Sequence, residues 1–127
     1  MNNKKIITKN APLPIGPYTQ ATEANGFLFI SGQIALNPQS GDLVNSNITE
    51  ETHQVMRNIE GVLKAAELDF SHIVKSSIFL KNLDDFQAVN REYAKYFQAE
   101  EAPARECVEV SRLPKDVNIE ISVIAAR

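Results

Sequence analysis

Val117-Asn118-Ile119-Glu120-Ile121-Ser122-Val123-Ile124-Ala125 alternates with a period of two. Val117, Ile119, Ile121 and Val123 fall on one side, and Asn118, Glu120 and Ser122 on the other. That is the pattern of a strand with one face in a core. Just before it runs Ala102-Pro103-Ala104-Arg105-Glu106-Cys107-Val108-Glu109-Val110-Ser111-Arg112-Leu113-Pro114-Lys115-Asp116. Pro103 precedes a second strand, Ala104 to Val110. Arg105 and Cys107 sit at i and i+2 on it and share a face. A guanidinium there is a ready bidentate clamp for a small carboxylate.

Outward from these strands the period changes. Ile73 to Lys81 reads as a strand. A helix follows, starting near Asp84 or Asp85, with Phe86, Val89, Tyr93 and Phe97 on one side. A longer helix is predicted from Thr49 to Ala66. Thr49 is its N-cap, Glu50 and Glu51 complement the dipole in its first turn, and Val55, Met56, Ile59, Val62, Leu63 and Ala66 form its buried stripe. Gly61 either weakens this helix by about 1 kcal/mol relative to Ala or permits a close packing contact. Tyr18 to Glu23 and Phe27 to Gly32 read as strands joined by Asn25-Gly26, a two-residue turn whose positions tolerate positive φ. Lys4 to Thr8 is a short edge strand. Ala11-Pro-Leu-Pro14-Ile-Gly-Pro17 is rigid punctuation, and Asn37-Pro38 with Ser40-Gly41-Asp42 marks a loop. The order is strands, helix, strand, helix, strands. It predicts an α+β fold with two helices packed on one face of a mixed sheet. The opposite face then needs another subunit to cover it, so an oligomer is expected.

The 127 residues carry 43% hydrophobic residues and a net charge of -3, which fits one globular domain spanning 1–127. The acidic balance argues against a nucleic-acid surface, which needs a basic patch. A single Cys excludes an internal disulfide and suggests a reducing compartment. Met1-Asn-Asn-Lys-Lys-Ile-Ile-Thr8 contains no long apolar run, so the expectation is no signal peptide, no membrane span and a cytoplasmic protein. No phosphate-binding glycine motif and no nucleophile elbow occurs.

Arg105 leads the candidate functional residues, against the plainer reading of a surface arginine paired with Glu106 or Glu109. Cys107 reads first as a small buried hydrophobe. Only His53 and His72 could act as a base for it, and neither lies in a motif. Two histidines without ligand spacing give no metal site. Glu120 interrupts an apolar strand, either as part of a solvated face or as a proton-transfer or water-positioning group at a pocket. Tyr18 follows the rigid Gly16-Pro17, which holds its hydroxyl at a pocket edge or its ring in the packing. In Ser31-Gly32-Gln33, the missing Cβ at Gly32 lets a ligand approach the backbone.

Ala11-Pro12, Ile15-Gly-Pro-Tyr18-Thr-Gln20, Ile30-Ser-Gly-Gln-Ile34, Leu83-Asp-Asp-Phe86, Val89-Asn90, Pro103-Ala-Arg105, Cys107-Val-Glu-Val110, Arg112-Leu-Pro-Lys-Asp116 and Ile119-Glu120-Ile121 together resemble the RidA (reactive intermediate/imine deaminase A, YjgF-type) family along essentially the whole chain. The resemblance implies a chorismate-mutase-like subunit and a homotrimer whose sheets form a barrel-like core, with a site in each cleft between neighbours. It implies hydrolysis of 2-aminoacrylate/2-iminopropanoate and 2-iminobutanoate to 2-keto acids and ammonia, with no cofactor and no metal. By the same resemblance Arg105 binds the substrate carboxylate, the backbone around Gly32 and Cys107 supports the pose, Glu120 orients or activates water, and Tyr18, Ser31, Asn90 and Pro114 line the cleft.

Two positions depart from the family pattern. Glu67 replaces the glycine usual at the end of the first helix, so the left-handed stop is lost or strained. Glu106 replaces Ser or Thr between Arg105 and Cys107, and normal alternation points it away from the cleft. Members described as endoribonucleases or translation inhibitors raise an RNA-directed alternative. A non-catalytic trimer binding a metabolite or a regulatory partner is the other.

Overall fold

The computed structural model describes residues 3–127. The alternating segment becomes β6 (Ile119–Ala126), with Ile119, Ile121, Val123 and Ala125 buried. It lies in the middle of a six-stranded sheet of order β1-β2-β3-β6-β4-β5. On one side it pairs antiparallel with β3 (Phe27–Gln33), on the other with β4 (Ile73–Leu80). β4 pairs in parallel with β5 (Ala104–Glu109) at one edge. At the other edge stand β2 (Ala21–Ala24) and β1 (Lys4–Ile6). The sheet is therefore mixed, as expected.

Asn25 and Gly26 both take positive φ, 53° and 81°, the conformation that matches a tight turn to the twist of its strands. Tyr18 is not part of β2 as expected. The strand begins at Ala21, because the segment before it is occupied by turns and by the side chain of Gln20. The buried Gln20 amide donates to the carbonyls of Thr8, Ala11 and Pro12 and accepts from the Thr8 N–H. That network pins the proline-rich segment across the sheet end.

Helix α1 (Ile48–Ala65) buries Val55, Met56, Ile59, Val62 and Leu63 against the sheet, each contributing about 1.5–3 kcal/mol of transfer free energy. Its N-cap is Asn47, not Thr49: the Asn47 Oδ1 accepts from the Glu50 N–H at 2.9 Å. Gly61 permits a close approach, since a Cβ there would stand 2.3 Å from the Asn10 carbonyl oxygen. The helix stop is kept despite the missing glycine. Glu67 adopts φ 62°, and the Leu68 and Glu67 N–H groups bond to the Leu63 and Lys64 carbonyls at 2.9 Å each, which is the Schellman arrangement.

A 3₁₀ turn over Leu83–Asp85, capped by Asn82, leads into α2 (Phe86–Ala94). α2 packs on α1 and on the same sheet face, where Val89 and Tyr93 are buried. Among the described residues no helix covers the opposite face. Phe27, Phe29, Val74 and Val108 stand 43–45% exposed there. Among the described residues no helix is long and apolar enough to cross a membrane.

Candidate active site

The expected site residues fall into two groups on opposite faces of the sheet. Arg105 sits directly across from Ser76 of β4, and Cys107 across from Ile78. Ser76 and Ile78 are fully buried under the helices, so Arg105 and Cys107 share the helix-covered face at the β5 edge. Glu106 alternates to the other face, where it accepts from Ser77 and pairs with Lys75 at 3.2 Å. Glu109 accepts from the Leu83 N–H. Neither carboxylate pairs with Arg105, so the plainer reading of that arginine is replaced.

Arg105 instead lies against α2. Its Nη1 donates to the Asn90 Oδ1 at 2.5 Å. Its Cζ stands 5.5 Å from the Phe86 ring centroid and 5.2 Å from that of Tyr93. Those aromatic faces hold a cation without neutralising it. The remaining guanidinium donors have no partner among the described residues. Beside them opens a groove of about 400 Å³ lined by Asn90, Tyr93, Phe97, Pro103 and Arg105. Burial pushes the Cys107 thiol up, the opposite of an activated nucleophile. His53 bonds to Glu92 and Tyr96, and His72 caps a turn with Asp69. Neither histidine serves as a base for Cys107.

The second group lies on the uncovered face. Glu120 is opposite Phe79 across the β6–β4 pair. A bulge in β3 between Ile30 and Gln33 brings Gly32 beneath it. A Cβ on Gly32 would stand 2.2 Å from the Glu120 Oε2, so the glycine makes the room the carboxylate occupies. Glu120 is half-buried, has no hydrogen-bond partner among the described residues, and burial alone raises its pKa. It borders a largely apolar cavity of about 740 Å³ that also takes in Tyr18, Ser31, Gly32 and Pro114. Ser31 Oγ donates to the Thr19 carbonyl at 2.6 Å, which ties the cavity floor to the Tyr18 loop. At the rim Lys115 and Asp116 both take φ 55°. Arg112 holds them through two bonds to the Asp116 carboxylate.

Sequence reasoning missed the aromatic bed under Arg105 and the apolar wall of the cavity, Leu13, Ile15, Ile34 and Leu36. A signal for the former was available: Phe86, Asn90 and Tyr93 recur at i, i+4 and i+7 and so share one helix face. No group of three or more His, Cys, Asp or Glu among the described residues is placed to hold a metal ion.

This six-stranded α+β fold is shared with known proteins. Residues 8–127 match the family described as endoribonuclease L-PSP. A RutC family protein of Pyrococcus horikoshii is 51% identical over 120 residues, 94% of each chain. The 2-iminobutanoate/2-iminopropanoate deaminase of Escherichia coli K12 is 44% identical, covering 98% of each chain. The crystal structure of YyfA from Yersinia pestis, of the Rid protein family, superposes with a TM-score of 0.96 at 48% identity, covering 99% of this chain and 100% of that one. The chain belongs to the endoribonuclease L-PSP family, the group that also carries the names YjgF, RutC and RidA.

Proposed function

We propose that the protein hydrolyses 2-imino acids, and the enamines in equilibrium with them, to 2-keto acids and ammonia, in a cleft completed by a second copy of the chain. The observation that carries this reading is Glu120: an unpaired, half-buried carboxylate over Gly32, with burial favouring its protonated form. The relationship to the E. coli deaminase supports it.

Arg105 anchors the substrate carboxylate through its free donors. Within one copy Arg105 and Glu120 lie on opposite faces of the sheet, so a site using both draws Arg105, Asn90 and Cys107 from one subunit and Tyr18, Ser31, Gly32, Pro114 and Glu120 from its neighbour. A homotrimer that buries Phe27, Phe29 and Val108 supplies that geometry. An enamine first takes a proton at C3 to give the imine. Water then adds to C2, its proton passing to the nitrogen by way of Glu120. The hydroxyl proton of the carbinolamine then passes to its nitrogen, the C–N bond breaks to release ammonia, and the C=O forms. An imine carbon is electrophilic enough that positioning and one acid/base group suffice.

The test generates 2-aminoacrylate in situ with a serine or threonine dehydratase and follows pyruvate release. Wild type accelerates release, Arg105→Ala does neither binding nor turnover, and Glu120→Gln still binds but turns over roughly 100-fold more slowly. Equal rates with and without wild-type protein would sink the proposal. The family's description as an endoribonuclease favours a second reading, RNA cleavage. A net charge of -3 counts against it. Incubation with RNA across a salt series is expected to show neither cleavage nor salt-sensitive binding.

A further inference from the structure

We infer that Tyr93, itself held by Ser76, is the positioning residue that sets the pose of the Arg105 guanidinium and thereby the affinity for the substrate carboxylate. This rests on the reading of Arg105 as the anchor.

Three observations converge. Arg105 extends from an edge strand and is exposed, so its long side chain would sample many rotamers if nothing held it. The Tyr93 ring lies 5.2 Å from its Cζ, closer than Phe86 at 5.5 Å. Tyr93 in turn does not drift, because its hydroxyl donates to the Ser76 Oγ at 2.8 Å and both residues are buried. Ser76 is the register partner of Arg105 across the parallel β4–β5 pair. One backbone pairing therefore fixes both ends of the arrangement: strand to serine, serine to tyrosine, tyrosine ring to guanidinium. Asn90, one turn before Tyr93, takes one donor of the guanidinium from the side. That combination leaves the remaining donors pointed into the groove. Burial raises the Tyr93 pKa and keeps its hydroxyl protonated as a donor.

The test compares wild type with Tyr93→Leu, Tyr93→Phe, Ser76→Ala and the Tyr93→Phe/Ser76→Ala double variant. Calorimetry measures binding of 2-ketobutyrate, the coupled assay gives kcat and KM, and NMR of arginine-labelled protein reads the Arg105 Nε–H shift. Tyr93→Leu is expected to abolish the ring-current shift of Arg105. It should raise the 2-ketobutyrate Kd and the KM together by roughly tenfold, with kcat nearly unchanged. Tyr93→Phe and Ser76→Ala should each raise Kd by about threefold, and the double variant no further, since both remove the same hydrogen bond.

A folded Tyr93→Leu with wild-type Kd and an unmoved Arg105 resonance overturns the inference. So does a variant whose kcat falls at constant KM. If Tyr93→Leu does not fold, additive effects or none in the Tyr93→Phe and Ser76→Ala pair overturn it instead. Wild type that binds 2-ketobutyrate without hydrolysing imine defeats the deaminase reading alone, and the Kd series then decides the role of Tyr93. Wild type that binds no 2-ketobutyrate overturns both.

Discussion

Glu120 carries the clearest electrostatic signature of the proposed site. Burial disfavours its charged form, so its pKa in the folded chain lies above the ordinary 4.5. The sign of the linkage follows. A raised carboxylate pKa stabilises the fold below the unfolded value, and that contribution is lost as pH rises through the folded value. At neutral pH, above the unfolded value, the burial of Glu120 is a net cost. Glu120→Gln should therefore melt at a higher temperature than wild type at pH 7, and scanning calorimetry should show that advantage shrinking as pH falls toward about 4.5 and gone below it. Glu120 was visible in the sequence as the one acid in an apolar alternating strand. Gly32 was visible as a strand-end glycine. That one makes room for the other was not, because a bulge in β3 sets the register between them and nothing in the residue pattern announces a bulge. Arg105 was legible as a cation on a strand, but its aromatic bed depends on how α2 crosses β5.

The helices show a similar division. The apolar stripe of α1 follows from period alone. Its start does not: Asn47 and Thr49 are both good caps followed by acids, and only backbone geometry selects Asn47. Further along, Glu51 is fully buried, and its carboxylate accepts from the Asn118 N–H and Nδ2 at 2.8 Å each and from the Ile119 N–H at 3.3 Å. Read from sequence as a dipole-complementing first-turn acid, it also clamps the chain just before Glu120. At the other end Glu67 occupies a left-handed position that glycine enters freely. Glu67→Gly should raise the unfolding free energy by about 1 kcal/mol, read from the shift in urea midpoint at unchanged slope. A drop in stability would show that the glutamate side chain makes up for its backbone strain.

The sheet as a body has one face sealed by helices and one bare. Phe27 and Phe29 lie together there with ring centroids 6.4 Å apart, and Val74, Val108 and the Glu120 cavity open on the same face. Alternation in β6 exposed this problem in the sequence: a sheet with helices on one side only needs a cover, although which copy number provides it is a matter of curvature and not of pattern. Phe29→Asp places a charge in the proposed interface. Sedimentation should find wild type as a trimer and the variant as folded monomers, with imine hydrolysis lost along with the assembly. Trimers that persist in Phe29→Asp would move the interface elsewhere. The position of β6 has a kinetic consequence. The β1–β2–β3 meander and the β4–β5 pair share no strand bonds with each other, and only β6, later in the chain than all of them, joins the two. Until β6 arrives, β3 and β4 each present an unsatisfied ladder. During synthesis the nascent chain therefore carries two open templates for sticky cross-pairing. Closing them takes contacts far apart in sequence, which makes the last step slow. Deleting β6 would leave two half-sheets prone to aggregation, and not a smaller version of the fold.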